Sequence, residues 1–261
     1  MENKEHILSL SYGKDSLACL GAIEQLKLPL DRIVHVEVWA TDTIPADLPP
    51  MVEFKSKADK IIKERYGIIV EHLHSKPYEY YFYQVCNGQK SKNKGKIYGF
   101  PLQKGNWCNN RLKTNLLKSI KGVQYIGIAA DEPNRFHNLN DNKISPLVVA
   151  GWTEQKCKEW CIENDLLSPI YTTSARGGCW FCHNQGIEQL RLLRKNYPQY
   201  WELLLKWDKD SFVSFKPNAT VHDFEKRFEL EDKGIIDAKD VFFWKYLQSP
   251  PNKQLEINLG E

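Results

Sequence analysis

The residues from Ser9 to Ser16 place three hydroxyl groups, a glycine and a lysine in one short segment, which reads Ser-Leu-Ser-Tyr-Gly-Lys-Asp-Ser. Glycine lets the backbone approach a phosphate closely, hydroxyl groups donate hydrogen bonds, and lysine supplies a positive charge. The Walker A pattern Gly-x-x-x-x-Gly-Lys-Ser/Thr is absent from the sequence. The segment therefore predicts a phosphate site of another kind, with the sharp turn at Gly13.

The elements predicted around this segment strengthen the interpretation. A short buried strand from His6 to Ser11 precedes the turn, and helical spacing of apolar residues follows from Asp15 to Lys27. The first N–H groups of a helix lack intrahelical partners, and the helix dipole favours an anion there. We expect Lys14 to lie near the phosphates, and Asp15 to cap the helix or to help hold Mg²⁺. An ordinary strand–helix turn is the alternative.

Cys179 and Cys182 form a Cys-x-x-Cys pair directly after two glycines. This spacing is typical of a metal-binding knuckle, and the glycines let the backbone fold tightly before it. A redox-active pair has the same spacing, so the pattern alone leaves both interpretations open. Seven cysteines in a chain that we expect to be cytoplasmic indicate thiols or metal ligands rather than disulfides.

Positive charge is concentrated in one part of the chain. The whole chain has a net charge of +3, but no Asp or Glu occurs between Tyr80 and Ala130. That stretch contains Lys90, Lys92, Lys94, Lys96, Lys104, Arg111, Lys113, Lys118 and Lys121. Such asymmetry predicts a polyanionic partner, either nucleotide phosphates or a nucleic acid bound along Lys90–Lys121. A solvated lysine-rich loop is the alternative.

Composition excludes several protein classes. The chain has 261 residues, of which 42% are hydrophobic and 26% charged, as in an ordinary globular protein. It has no apolar run of the roughly 18 residues that a membrane span needs, and its first residues are polar. We therefore expect a cytoplasmic protein that does not bind membranes.

Strand and helix patterns alternate along the first half of the chain, which predicts an α/β fold with a doubly wound parallel sheet. Predicted strands cover 6–11, 32–40, the segment from Gly67, and 124–129. Predicted helices cover 15–27, 51–66, 78–85, 110–120, 153–164, 186–207 and 220–232. We predict a nucleotide-binding domain over 1–150, followed by a cysteine-knuckle and helical region over 151–261.

The turn sequence resembles the Ser-Gly-Gly-Lys-Asp-Ser signature of PP-loop ATP pyrophosphatases. More narrowly, the chain is similar to the phosphoadenosine phosphosulfate (PAPS) reductase family over roughly residues 5–185. The further segments that carry this resemblance are Asp42-Thr43, Trp107–Lys113, Gly127–Arg135, Ser145–Glu154 and Ser168–Tyr171. The resemblance implies an adenine nucleotide alpha-hydrolase-like fold that binds ATP and Mg²⁺.

The same resemblance implies roles for particular residues. The nucleotide-binding set is Ser9, Ser11, Tyr12, Gly13, Lys14, Asp15, Ser16, Asp42, Lys113 and Gly127. The catalytic set is Lys14, Asp15 and Arg135. The sequence departs from the family where Tyr12 replaces a glycine and Ala129 stands where the family often has arginine. No cysteine follows Cys182, so the terminal thiol nucleophile of sulfonucleotide reductases has no counterpart.

Iron–sulfur members of this family combine a Cys-Cys pair with a distant Cys-x-x-Cys. Here Cys108 alone precedes Cys179 and Cys182, so the resemblance implies three metal ligands. We expect Cys161 to be the fourth, with Cys157 as an alternative on the same helix. The metal is either zinc or a [4Fe-4S] cluster, and the broken Cys-Cys pair favours zinc.

Three functions follow as hypotheses. The first is an enzyme that cleaves ATP between the α and β phosphates and adenylates an acceptor. Sulfur transfer to a nucleic acid is one reaction that such adenylation would serve. The second is reduction of PAPS or adenylyl sulfate. The third is a non-catalytic module that binds a nucleotide or a nucleic acid, which the replacement at Ala129 favours. A homodimer is an open alternative to a monomer.

Overall fold

The structure is a computed structural model of the chain. It describes residues 4–89, 92–101, 107–137, 142–173, 178–240 and 244. Parts of the predicted features lie outside these residues, namely Lys90, Lys104, Gly177 and the segment that follows Gln248. In the described part of the chain, no helix has the length and apolar character that crossing a bilayer requires.

A five-stranded sheet forms the centre of the fold, and every pair of neighbouring strands is parallel. Its strands are β1 (His6–Leu10), β2 (Arg32–Glu37), β3 (Val70–His74), β4 (Val123–Tyr125) and β5 (Lys143–Ile144). The spatial order is β3-β2-β1-β4-β5. The predicted α/β fold with a parallel sheet is therefore confirmed.

The order of the strands marks where a ligand site is expected. The chain proceeds from β1 outward to β3 on one side, then returns to place β4 on the other side of β1. Ligands of open α/β sheets bind at the carboxyl ends of strands where the order reverses. The turn after β1 lies at this point.

Helices cover the sheet in the first part of the chain. They are α1 (Lys14–Leu26), α2 (Pro49–Tyr66), α3 (Tyr78–Phe82), α4 (Trp107–Asn109), a π-helical turn (Asn110–Thr114), α5 (Asn115–Ser119), α6 (Pro133–Phe136), α7 (Pro146–Val149), α8 (Glu154–Glu163) and α9 (Ile170–Thr173). The predicted cap of α8 is confirmed, because the Thr153 hydroxyl accepts a hydrogen bond from Lys156 N.

Helices α1 and α8 pack closely because α1 carries a glycine at their contact. A Cβ on Gly21 would lie 2.4 Å from the Trp160 indole nitrogen and 2.9 Å from the Trp152 ring. The apolar face of α1 is buried against β1, with Leu8, Leu17 and Leu20 fully excluded from solvent. This packing holds the first turn of α1 against the carboxyl end of β1.

Some predicted elements differ from the structure. The strand predicted over 124–129 ends at Tyr125: Ile126 N still bonds to Ile144 O at 2.9 Å, but Ile128 N turns back to Ile126 O and Ala130 N bonds to Trp152 O at 2.8 Å. Strand β5 lies where no element was predicted, since two residues are too short to show an alternating pattern.

The chain divides into two compact units. The first comprises 1–81 and 103–182, and the second comprises 82–102 and 183–261. The sequence had placed one boundary after residue 150, so the two divisions differ. The first unit includes the cysteine knuckle along with the sheet, and the second includes part of the lysine-rich stretch.

The second unit contains α10 (Ile187–Asn196), α11 (Pro198–Asp210) and α12 (Val221–Asp232). The single helix predicted over 186–207 is wrong, because Pro198 begins a new helix after the extended Tyr197. Thr220 caps α12 by accepting a hydrogen bond from Asp223 N.

Gly127 provides a test of how the sheet positions α1. A Cβ there would lie 2.5 Å from Ser16 N and 2.7 Å from the Asp15 carbonyl carbon, both backbone atoms. We expect Gly127→Ala to lower the free energy of unfolding by about 1–3 kcal/mol, because helix α1 must move to accept the methyl group. Urea unfolding followed by circular dichroism measures the change.

Gly13→Ala is the matched control. A Cβ on Gly13 meets only Ser11 Oγ and the Tyr171 hydroxyl, both at an ordinary 3.5 Å. We expect this variant to lose less than about 1 kcal/mol, since alanine is only a poorer N-cap. Equal losses in both variants would show that the start of α1 yields to the extra methyl group.

Candidate functional site

The turn between β1 and α1 is held by its own serine hydroxyls. The Ser16 hydroxyl accepts hydrogen bonds from Ser11 N at 3.1 Å and from Ser11 Oγ at 2.9 Å, and it donates to Gly13 O at 3.0 Å. The two serines therefore stabilise the turn. Their predicted role as ligands of a nucleotide stays a prediction. Gly127 lies directly against this first helical turn.

The sharp turn occurs at Tyr12 and not at Gly13, which corrects the prediction. Tyr12 has φ of 57°, in the left-handed region, whereas Gly13 is extended with φ of −78°. A non-glycine residue in this region costs on the order of 1 kcal/mol or more. The Tyr12 side chain offsets this cost because it is fully buried.

A polar network surrounds the buried Tyr12 ring. Its hydroxyl donates to Asp59 Oδ1, and Asp59 Oδ2 lies 2.9 Å from His72 Nε2. The ring packs edge-on against His35, with 4.8 Å between the centroids. Burial, followed by the hydrogen bond to Asp59, raises the pKa of Tyr12 well above its usual value. The hydroxyl therefore stays protonated and remains a donor.

A buried lysine extends this network towards β1. Lys55 Nζ donates to His35 Nε2 at 2.9 Å and to Asp47 Oδ2 at 2.5 Å, and it lies 5.3 Å from the centre of the Tyr12 ring. Because Nε2 accepts, the proton of the neutral ring sits on Nδ1, which donates to Leu10 O at 2.8 Å. Burial and the nearby Lys55 lower the pKa of His35 to about 3, so it stays neutral.

Lys14 contacts acidic side chains at the start of α1. Its Nζ lies 2.7 Å from Asp15 Oδ1 and 3.2 Å from Glu154 Oε1. Burial disfavours the ammonium, but these two hydrogen bonds outweigh it and raise the pKa of Lys14. Burial also raises the pKa of Asp15, and Glu154 and Glu132 add to that effect.

Three carboxylates come together here. Asp15, Glu132 and Glu154 each place one oxygen within 4.8 Å of the others. Arg135, a predicted catalytic residue, binds both oxygens of Glu132 at 2.7 and 2.8 Å and has a largely exposed side chain. The sequence named Asp15 and Arg135 but missed both glutamates, because they come from separate segments of the chain.

Three cysteines form a second cluster in the same unit. Each of the thiols of Cys108, Cys179 and Cys182 acts electrostatically on Tyr78, and Cys179 is influenced by the other two. Burial raises the pKa of Cys179 to about 12, whereas the charge of Lys113 lowers it. Lys113 therefore faces the thiols. Its predicted role at the nucleotide stays a prediction.

The knuckle that carries two of these cysteines is fixed to the loop after β2. Trp180 donates from its backbone N to Ala46 O and from its indole N to Pro45 O, both at 2.9 Å. Cys182 N bonds to Cys179 O at 3.0 Å and closes the turn. The same loop carries Asp47, whose charge adds to burial in raising the pKa of the Cys179 thiol.

Cys161, the predicted fourth metal ligand, has a hydrogen-bond partner at the start of α1, and its role as a ligand stays a prediction. Its Sγ donates to Lys14 O at 3.3 Å, and the groups that influence its pKa, after burial, are Cys157, Asp15 and Lys14. The packing of α8 against α1 brings Cys161 to the turn between β1 and α1. Burial raises the pKa of both Cys157 and Cys161 to about 12.

Two other predicted ligands have separate positions. Ser9 lies within β1, where it pairs with Val34 of β2. Asp42 is exposed in the loop after β2. Their roles in binding a nucleotide stay predictions.

Tyr171 is a site residue that the sequence did not single out. Its hydroxyl accepts a hydrogen bond from Lys14 N at 3.0 Å, although 157 residues separate the two in the chain. Lys14 N belongs to the first helical turn, where a phosphate oxygen would be bound. The Tyr171 oxygen therefore occupies an anion position of the loop.

With the fold and the site described, the chain can be compared with known proteins. No family model matches the chain, and no curated protein sequence matches it. Among solved structures it is similar to the U34-tRNA thiolase NcsA from Methanococcus maripaludis with its [4Fe-4S] cluster, with 15% sequence identity and a TM-score of 0.38. The match covers 86% of this chain and 81% of that one. What this site does must therefore follow from its own residues.

The position of Tyr171 predicts an effect on nucleotide affinity. A phosphate oxygen can bond to Lys14 N only if the Tyr171 hydroxyl leaves it. Because a neutral hydrogen bond contributes about 0.5–1.5 kcal/mol, we expect Tyr171→Phe to bind ATP about 2- to 10-fold more tightly. Isothermal titration calorimetry measures the affinity. Weaker binding by the variant would instead make the hydroxyl a ligand of the phosphate.

Proposed function

We propose that this chain is a PP-loop enzyme that cleaves ATP between the α and β phosphates and adenylates an acceptor. The observation that carries the proposal is the first turn of α1. Its backbone N–H groups lie at the reversal of strand order, and a lysine and three carboxylates surround them. Phosphates and a divalent cation are the ligands that such a set of groups recognises.

The three carboxylates fit Mg²⁺, which prefers oxygen ligands and is commonly held by one or two carboxylates together with substrate phosphates. Asp15, Glu132 and Glu154 would hold it. When bound, it would neutralise charge on the phosphates and polarise them.

The side chains of this chain orient the nucleotide. Lys14 would become available to a phosphate if Asp15 and Glu154 held a cation in place of its ammonium group. Arg135 lies on the outer side of Glu132 with a mostly exposed guanidinium, which suits it to an incoming anion. The Ser11 and Ser16 hydroxyls keep the turn in shape while the phosphate contacts its N–H groups.

The three thiols fit a metal centre held by Cys108, Cys179 and Cys182. All-thiolate ligands suit either zinc or an iron–sulfur cluster, so both centres stay open, and the zinc expected from the sequence stays a prediction.

ATP cleavage gives the test of the nucleotide site. We expect Mg-ATP incubated with the protein and an acceptor to yield AMP and pyrophosphate. Lys14→Ala should weaken ATP binding by about 10- to 100-fold, since a charge-assisted hydrogen bond contributes about 1.5–3 kcal/mol. Product chromatography and calorimetry measure the two effects.

Lys60→Ala, at an exposed position on α2, is the control and should bind ATP like the wild type. Formation of ADP would contradict cleavage between the α and β phosphates. Absence of turnover with intact ATP binding would favour the non-catalytic module. Release of sulfite from PAPS with thioredoxin would instead support the reductase.

The thiol centre is tested by replacing single ligands. We expect Cys108→Ser, Cys179→Ser and Cys182→Ser each to lose bound metal and to melt at lower temperature, because metal-binding energy is folding energy in such sites. Cys161→Ser is the control and should keep its metal. Metal analysis and a visible spectrum after anaerobic purification identify the ion. Metal loss in Cys161→Ser as well as in the other three variants would support the predicted four-cysteine set.

A further inference from the structure

Part of the lysine-rich stretch is an ordered hairpin in the second unit. Residues 82–86 and 95–99 pair antiparallel, with hydrogen bonds from Gly99 N to Phe82 O at 3.0 Å and from Cys86 N to Lys96 O at 2.8 Å, and residues 87–89 and 92–94 continue beyond this pairing towards the tip. Val85 and Ile97 form the bridge between them. We call these residues the lysine hairpin.

The hairpin presents one sign of charge. Lys92, Lys94 and Lys96 are exposed at or near its tip. The sequence places no Asp or Glu anywhere between Tyr80 and Ala130, so the hairpin carries no acidic residue of its own. Three ammonium groups on five consecutive residues create a local field that attracts polyanions.

The base of the hairpin packs against the end of α11 in the same unit. Phe100 N bonds to Ser211 Oγ at 3.2 Å, and the rings of Phe82 and Trp207 lie 5.8 Å apart. A Cβ on Gly99 would lie 2.4 Å from Ser211 Oγ, so the two segments touch closely. The hairpin is therefore attached to a packed core and holds its lysines in place.

Two lysines of this region lie over aromatic rings. Lys96 Nζ is 4.8 Å from the centre of the Phe212 ring, and Phe212 is 43% exposed. Lys206 Nζ is 5.1 Å from the centre of the Tyr83 ring. An exposed ring beside an ammonium group offers a stacking face for a base next to a partner for its phosphate.

We propose that the lysine hairpin and the end of α11 form a binding surface for single-stranded nucleic acid. Lys92, Lys94 and Lys96 bind backbone phosphates, and Phe212 stacks one base. This inference rests on the proposed function and names the chemical class of the acceptor, a single-stranded nucleic acid.

The exposed aromatic ring favours a single strand over other polyanions. A base can stack on Phe212 only when it is free of its neighbours, as in loops and single strands of RNA. A duplex contacts lysines through phosphates alone, and an acidic protein surface offers carboxylates without rings. The combination of Lys96 and Phe212 is therefore the feature that distinguishes these partners.

Fluorescence anisotropy with a labelled 12-nucleotide single-stranded RNA of mixed sequence tests the proposal across a range of KCl concentrations. The triple variant Lys92→Gln, Lys94→Gln, Lys96→Gln should lower the slope of log Kd against log salt by about 2, because each lost phosphate contact contributes about 0.7. Phe212→Ala should weaken binding about 10-fold and leave that slope unchanged.

A second triple variant with the same charge change is the control. Lys195, Lys233 and Lys239 are exposed on α10 and after α12 in the same unit, and their replacement by Gln should leave the slope unchanged. A DNA strand of equal length and sequence shows whether the 2′-hydroxyl contributes. Equal weakening by both triple variants would overturn the proposal, because it would show a response to net charge alone.

Other outcomes separate this inference from the function on which it rests. If the wild type forms AMP but the hairpin variants bind RNA with unchanged affinity, the proposed RNA-binding surface is overturned and the ATP chemistry stands. If RNA binding depends on the hairpin but the protein forms no AMP, the proposed surface stands and the ATP chemistry is overturned. Polyglutamate can also be added as a competitor of the labelled RNA. If it displaces the RNA equally well from the wild type and from Phe212→Ala, the surface is assigned to acidic proteins and the proposal is overturned.

Discussion

The conformation of Tyr12 is the constraint on which the turn between β1 and α1 depends. The backbone leaves β1 and enters α1 through a residue at positive φ, a conformation that glycine adopts more readily. The side chain is held by burial, by the hydrogen bond to Asp59 and by packing against His35. A hydrogen bond to a charged group contributes about 1.5–3 kcal/mol, which is enough to offset the strain at this position. The large side chain that departs from the glycine-rich pattern thus anchors the turn.

The same buried network reaches from the loop towards the thiols. The charge of Asp47 acts on the Cys179 thiol, and Asp47 pairs with Lys55. Lys55 bonds to His35, which in turn donates to Leu10 O at the end of β1. Each polar group along this path has a partner, as a buried network requires. The loop after β2, which carries Asp47, also accepts two hydrogen bonds from Trp180 of the knuckle. One connected set of contacts therefore positions both clusters within the first unit.

Local patterns in the sequence were sufficient for much of the fold. Apolar periodicity predicted α1, α2, α8 and α12 to within a few residues, and the strand–helix alternation predicted the parallel sheet. They failed for two different reasons. Strand β5 exists because two residues pair with β4, a contact that is not local. The helix predicted over 186–207 divides because a local breaker, Pro198, outweighs the continuous apolar pattern.

The sequence by itself determined the chemistry that is available: a hydroxyl- and lysine-containing turn after a strand, a Cys-x-x-Cys pair and a stretch without acidic residues. Residue types and short spacings carry that information, because neighbours in sequence are neighbours in space. The tertiary structure alone decided which groups meet. It brought Glu132 and Glu154 to Asp15, set Tyr171 on the first N–H group of α1, and placed the Cys161 thiol against Lys14 O. These contacts span up to 157 residues and arise from the packing of whole helices and loops, which no local pattern encodes.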